Sequence, residues 1–329
     1  MRVAMLGVGR IGAYHAANLQ HNPEVSELRI FDVDLDRAAI VAHELEATVA
    51  PTVEATLEDA EAAVIATPSA THAELIRLCL ARGIPAFSEK PLALDIAETE
   101  RVAGEVAAKQ GVLQIGFQRR FDPAYRAARE AIAAGKLGRV YSFAMFSRDR
   151  LPPAEAYIST SGGIFRDLHI HDFDITRWLF GQEVVEVFAL GSTAGFPEYE
   201  QYGDAATTAI SLRLAGGTLG VLTGARHNEA GYDIRVEVFG ANDSIAIGLG
   251  PRTPTRSLEG DGLVFGGPPY PDFQTRFAIA YPEELRHFLR LARGEAKNPC
   301  TATDALQALR IAEAAHASMS AGRPVTVAS

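Results

Sequence analysis

Through its first 121 positions the chain alternates short apolar runs with stretches of helical period. The runs are VAML at 3–6, LRIF at 28–31, AAVIAT at 62–67, PAFSE at 85–89 and LQIGF at 113–117. Between them, apolar residues recur at three- and four-residue spacing over about 11–20, 36–46, 71–82 and 95–110. Strand and helix in strict alternation, joined by short connections, predict a doubly wound parallel sheet. After Phe121 the rhythm changes. A helix from Pro123 to about Ala134 stops at Gly135, and longer alternating segments follow at about 139–148, 184–193, 205–214, 218–226 and 232–239. Successive strands with few helices between them predict a mostly antiparallel sheet. The Pro- and Gly-rich stretch at about 249–275 reads as an extended loop, of a length usually tied to function or assembly. Helices return at about 281–293 and 303–321, the second opened by Thr303 or Asp304 as a cap. The expected organisation is an α/β domain over 1–121 and an α+β domain over 122–329, with the last helix, 303–321, a candidate to pack back on the first domain.

Composition narrows the class without changing this outline. A chain of 329 residues is long for one hydrophobic core. Its 47% hydrophobic and 22% charged residues are those of an ordinary globular protein, which excludes disorder, collagen and coiled coil. A net charge of -10 with no basic block argues against nucleic acid and anionic membranes as partners. The two cysteines, Cys79 and Cys300, have no metal-binding spacing and no disulfide pattern, as expected of a protein kept in a reducing cytoplasm. The opening MRVAMLGVG reads as a first strand rather than a signal peptide, and no run reaches the ~18 apolar residues of a membrane span.

Chemistry first enters at G-V-G-R-I-G, directly after the first strand. Gly7 permits a tight turn, Gly9 lets the backbone approach a pyrophosphate, and Gly12 lets helix and strand pack closely; the helix then offers its first N–H groups to the anion. Such a motif alone also fits a plain strand-to-helix turn. Asp32 strengthens it, lying twenty positions beyond Gly12 at the end of the second strand, where a carboxylate binds ribose hydroxyls and repels a 2'-phosphate. NAD is therefore expected over NADP. Arg37 is near enough to affect that choice, but reads more simply as a solvated helix residue. The expected cofactor-binding set is Gly7, Gly9, Arg10, Ile11, Gly12, Asp32, Thr67, Pro68, His72, Glu89 and Lys90.

Two further segments carry reactive side chains. In EKP at 89–91, Lys90 follows an apolar strand whose carboxyl end opens on the crevice where such sheets bind ligands, although lysines are mostly surface residues. In GGIFRDLHIHDFDITRWL at 162–179, Asp167 and His171 are four apart, on one face if the segment is a single helix. Asp174 and Trp178 continue that face, and apolar residues on several other sides predict a buried helix. His169 and His171 could share a metal ion on a strand, but on a helix they lie about 200° apart. His169 is expected to pack or to support the site, Asp172 and Asp174 read equally well as solvated or helix-start acids, and no metal is expected.

The order GVGRIG, FDVD, EKP and GGIFRDxxxHDFDxxRWL resembles the Gfo/Idh/MocA oxidoreductase family over essentially the whole chain. Within it, FQRRFDP at 117–123, SRD at 147–149, YISTSGGIFRD at 157–167 and GYDIRVEVFG at 231–240 resemble the inositol 2-dehydrogenases. The resemblance implies a Rossmann domain followed by a domain with a large open-faced sheet, through which family members assemble as dimers or tetramers. It implies Lys90, Asp167 and His171 as catalytic positions, a cis peptide before Pro91, and Arg119, Arg148, Asp149 and Tyr232 as further contacts. The implied activity is NAD-dependent oxidation of a secondary hydroxyl on a cyclic polyol, myo- or scyllo-inositol, by a homotetramer in the cytoplasm, with His171 as base. Alternatives within the resemblance are an aldose or ketosugar dehydrogenase or reductase and a non-catalytic NAD-binding regulator.

Overall fold

The computed structural model describes residues 1–248 and 270–328, with the backbone alone at 255–256 and 264–265. The chain divides into two compact units, Met1–Phe121 with Ile279–Gln307, and Asp122–Ala278 with Ala308–Ser329. Residues 279–307, which the sequence reading assigns to the second domain, thus group with the first unit, and the last helix, Ala302–Ala321, is divided between the two.

The first unit holds a six-stranded sheet in the order β3-β2-β1-β4-β5-β6, parallel throughout. Its strands are β1 (Arg2–Leu6), β2 (Glu27–Phe31), β3 (Thr48–Val49), β4 (Ala62–Ile65), β5 (Ala86–Glu89) and β6 (Leu113–Gly116). β1, β4, β5 and β6 are buried almost end to end, as strands covered on both faces must be. The order reverses at β1, so the crevice that binds ligands opens outside the carboxyl ends of β1 and β4. One face is closed by a helix from far along the chain. Leu285, Phe288 and Leu289 of Ala280–Ala292 join Val3, Met5, Ile30, Val64 and Phe87 in one apolar cluster.

The second unit is built on seven strands in the order β12-β11-β7-β10-β9-β8-β15. They are β7 (Val140–Arg148), β8 (Val184–Ser192), β9 (Thr207–Leu214), β10 (Leu219–Ala225), β11 (Asp233–Gly240), β12 (Ser244–Ile247) and β15 (Val325–Thr326), while β13 (Thr255–Arg256) and β14 (Val264–Phe265) form a separate pair. The sheet is mixed rather than simply antiparallel, because β7 and β10 run parallel. The pattern in β9 is strictly alternating, with Thr208, Ile210, Leu212 and Leu214 buried and their neighbours exposed. Of the expected 249–275 loop, positions 249–269 lie outside the described residues apart from that backbone pair; Asp272 beyond them caps the short helix Phe273–Arg276.

The helical segment after Gly163 differs from expectation. Ile164–Asp167 and Ile170–Phe180 are two helices, and between them the His169 N–H donates to the Ile164 carbonyl, five residues back. Asp167 and His171 therefore do not share one regular helix. Ile170–Phe180 is buried on several sides, as expected, with Phe173, Ile175 and Leu179 among its covered residues and Trp178 under the Arg129 guanidinium at 4.3 Å. The last helix also starts differently. Thr301 is its cap, its hydroxyl accepting from the Asp304 N–H while the Asp304 carboxylate accepts from the Thr301 N–H, a reciprocal box that the run T-A-T-D disguises.

A buried polar chain ties Ile170–Phe180 to its sheet. The Ser147 hydroxyl donates to Asp172 at 2.7 Å, Asp172 meets His169 Nδ1 at 2.7 Å, and His169 Nε2 meets the Thr208 hydroxyl at 2.7 Å. The ring fits only because residue 224 has no side chain, since a Cβ there would lie 2.3 Å from His169 Nε2. Replacing Gly224 by Ala must displace a ring bonded on both sides. The expected cost is about 1–3 kcal/mol of stability in urea unfolding; a change below about 0.5 kcal/mol would show that the chain yields freely.

Candidate active site

The cofactor half lies in the first unit. Gly7 has φ of 89°, and a Cβ on Gly12 would lie 2.1 Å from the Gly7 carbonyl oxygen, so turn and helix can approach only as glycines. Gly9 differs. A Cβ on it meets nothing within 4 Å, so the fold itself does not demand glycine there, and the open space lies at the start of the helix Arg10–Gln20, where a pyrophosphate would sit. No side chain caps that helix at Gly9.

Asp32 is buried at the end of β2 and accepts from the N–H groups of Val8 at 2.8 Å and Asp34 at 2.9 Å. Arg37 is not merely solvated: its Nη2 donates to Asp32 Oδ1 at 2.7 Å. Burial alone would raise the Asp32 carboxyl, but Arg37 and the two N–H groups outweigh it and hold the group below its ordinary value. The acid is thus fixed as an anion beside the glycine turn, which fits recognition of an adenosine ribose.

Thr67, Pro68 and His72 follow β4, and Glu89 ends β5 with Lys90 next in the chain. The Lys90–Pro91 peptide is cis. Arg119, in the short helical turn Gln118–Phe121, is almost completely buried. The thiol of buried Cys79 is pushed up to about 12 by burial, and Cys300 is also buried, so neither is a poised nucleophile.

A second cluster of expected site residues lies in the second unit. Because β7 and β10 are parallel neighbours, Arg148 pairs with Ala225 across one side and with Asp233 of β11 across the other. This register brings Asp149, Arg226 and Tyr232 to one end of the sheet. Arg226 is 2% exposed, and its Nη1 donates to Asp167 Oδ2 at 2.7 Å and lies 3.6 Å from Asp149 Oδ2. Burial works against the guanidinium charge, but Asp167 and then Asp149 more than offset it and raise its proton affinity above that of a free arginine. The Tyr157 hydroxyl donates to the other oxygen of Asp167 at 3.0 Å. Asp204 in turn receives the Ile164 N–H at 2.8 Å, fixing the start of the helix that ends in Asp167. Arg148 is bound to Asp233 at 2.8 Å. His171 lies in the first turn of Ile170–Phe180, while His169 next to it is committed to Asp172 and Thr208. Among the described residues no group of three His, Cys, Asp or Glu side chains is placed to hold a metal ion, and no helix is long and apolar enough to cross a membrane.

Arg226, Tyr157 and Asp204, which pattern reading did not single out, join this cluster through Asp167 and the helix that carries it. A signal for Arg226 exists, since it follows a strand end just as Lys90 does. It becomes visible only once β10 is known to run parallel to β7.

Comparison with known proteins identifies the family over both domains. Residues 1–117 match the family model of the Gfo/Idh/MocA NAD-binding Rossmann fold and residues 129–327 that of the same oxidoreductase family's C-terminal alpha/beta domain. The chain is 38% identical to the myo-inositol dehydrogenase Hyg17 of Streptomyces leeuwenhoekii, over 98% of each. It is also 38% identical to the scyllo-inositol 2-dehydrogenase (NAD(+)) of Bacillus subtilis (strain 168), over 99% of this chain and 96% of that one. The crystal structure of scyllo-inositol dehydrogenase from Lactobacillus casei with bound NAD(H) and scyllo-inositol matches with a TM-score of 0.89 at 28% identity, covering 99% of both chains. The chain belongs to the Gfo/Idh/MocA oxidoreductase family.

Proposed function

We propose that this chain oxidises one secondary hydroxyl of a cyclic polyol, myo- or scyllo-inositol, to the ketone, with NAD as hydride acceptor. The observation that carries the reading is the Asp149–Arg226–Asp167 array at the end of the second sheet. A neutral ring of hydroxyls offers no charge to grip, so its site must present donors and acceptors in fixed positions. Arg226 holds two carboxylates in place, and Arg148 and Tyr232 stand at the same sheet end as further candidate contacts. Full-length similarity to two relatives named for inositols narrows the polyol to that ring.

Bound NAD supplies the hydride acceptor; the remaining work falls to the chain. His171 accepts the hydroxyl proton as general base, a contribution of roughly 100- to 10,000-fold. Lys90 donates to the same oxygen and stabilises its developing negative charge. Asp167 orients His171, and its own position is set by Arg226 and Tyr157. Gly7, Gly9, Arg10, Ile11 and Gly12 would hold the pyrophosphate, Asp32 the adenosine ribose, and Thr67 and Pro68 would line the crevice beyond.

The open face of the second sheet supports assembly into a homo-oligomer, which we take to be a tetramer. By register, exposed Leu190, Leu219, Val221 and Phe239 all point to that face, a grouping more apolar than a solvated surface needs. The acidic chain, with two buried thiols, fits a cytoplasmic enzyme.

Four outcomes are expected. In a panel of inositols, aldoses and ketosugars followed by NADH formation, an inositol gives the highest kcat/KM, and preference for an aldose would replace the substrate reading. In the same assay His171→Ala lowers turnover by about 100-fold or more while NADH still binds by fluorescence; unchanged turnover removes His171 from the chemistry. Asp32→Ser releases Arg37 toward a 2'-phosphate and improves kcat/KM with NADP by about tenfold, the equivalent of one ~1.4 kcal/mol interaction. No gain would mean that Asp32 does not read the ribose. Light scattering on the purified protein is expected to give four times the chain mass, and a monomer would refute the assembly.

A further inference from the structure

Two buried histidines take hold of the residues on either side of Lys90. On one side, His15, wholly buried in the helix that opens at the glycine turn, meets Glu89 Oε1 with its Nε2 at 2.7 Å. The rings of Phe87 and Tyr281 stand edge-on to the imidazole at 5.4 and 5.8 Å and fix its plane. Glu89 also turns its second oxygen to the Lys90 N–H at 3.3 Å. On the other side, His72, 1% exposed at the start of the helix His72–Ala81, has Nδ1 2.8 Å from the Pro91 carbonyl oxygen and Nε2 2.9 Å from that of Thr67.

His72 turns both ring nitrogens to main-chain oxygens, and because burial lowers its proton affinity the neutral ring donates its one N–H to one of them, while Glu89 is spent on His15 and on the backbone of Lys90. His72 and Glu89 belong to the cofactor-binding set expected from sequence, and their side chains make these hydrogen bonds within the fold. His15 satisfies a carboxylate that is itself buried, so the two groups are placed as a pair. What the pair does achieve is to fix Glu89 to the glycine-turn helix and to set the Pro91 carbonyl against the start of the helix His72–Ala81 that follows the Thr67 loop, so that the residue between them is held on both sides.

We propose that His15 and His72 are positioning residues for Lys90: together they clamp the Glu89–Pro91 turn to the two loops that would hold the cofactor, and so set the lysine's height above the crevice. The inference rests on Lys90 acting at the reacting oxygen, as proposed above. Neither histidine touches substrate or cofactor in this account. Their loss loosens the geometry of the reacting group while leaving the dinucleotide site intact. A displacement of the order of 1 Å at such a group costs about 100-fold in rate.

The test compares the full-length protein with His15→Gln, His15→Asn, His72→Ala and Lys90→Met. For each, kcat and KM with myo-inositol, NADH affinity by fluorescence and thermal unfolding are measured. A glutamine amide reaches the position of Nε2 and can still donate to Glu89, whereas an asparagine amide stops near Nδ1 and cannot. His15→Gln is therefore expected to stay within about threefold of the parent in kcat, and His15→Asn and His72→Ala to lose about 10- to 100-fold, with NADH affinity in all three changed by less than about threefold. If His72→Ala does not fold, the Gln and Asn pair at position 15 decides the matter. Equal kcat for Gln and Asn overturns the proposal. So does a loss in which NADH affinity falls in step with kcat, which would return these residues to direct cofactor contact. Lys90→Met separates the two levels: if it is inactive while His15→Asn and His72→Ala turn over normally, only the clamp is refuted, and if it is active, the role of Lys90 itself falls.

Discussion

A guanidinium that is 2% exposed imposes its terms on everything around it. Taking such a charge out of water costs several kcal/mol unless opposite charge and hydrogen bonds replace the lost hydration. Arg226 meets that requirement with Asp167 and Asp149, and the requirement runs outward from there. Asp167 must be delivered by a short helix whose start is pinned by Asp204. Asp149 must stand beside the end of β10, which demands the parallel pairing with β7. Truncating any one partner leaves an uncompensated charge in the interior, so the electrostatics of the site and the folding of the second unit are one problem.

The cofactor half follows a different logic. There the charged group, Asp32, is held by one half-exposed arginine and by two backbone N–H groups, and the shape is set by glycines that bring turn and helix into contact. The glycine turn gives shape without charge. Arg37 makes the balance between ribose hydroxyl and phosphate a local one, since the residue that could welcome a 2'-phosphate is already engaged by the residue that repels it.

Most of the secondary structure was legible because burial imposes a period on the sequence. The four long segments of the first unit, the five long strands of the second and the helices Ala280–Ala292 and Ala302–Ala321 all fall within a few residues of their expected positions. What escaped was structure too short to show a period, such as β3 and β15 with two residues each, and structure that depends on pairing rather than on pattern. The break after Asp167 is invisible because its flanks remain apolar and helical in spacing. The site was legible in the same uneven way. Lys90, Asp167 and His171 stand in motifs, whereas Arg226 sits in GARHNEAGYD with no local mark, and only the strand order gives it neighbours. Arg37 lies five residues from Asp32, a separation that suits no regular contact within a helix, and the turn between β2 and the following helix is what brings them together.

The helix Ala280–Ala292 has a further consequence for how the protein comes into being. Leu285, Phe288 and Leu289 cover one face of a sheet whose last strand ends at Gly116. On the ribosome that sheet can form its ladders early, but its lid is encoded only after six of the seven strands of the second sheet. At about 5–20 residues per second, the uncovered apolar face waits on the order of ten to thirty seconds for its closing helix. Vectorial synthesis thus leaves the dinucleotide-binding unit, first in the sequence, without its closing helix until most of the second unit has been made, and during that interval its uncovered apolar face is open to a chaperone.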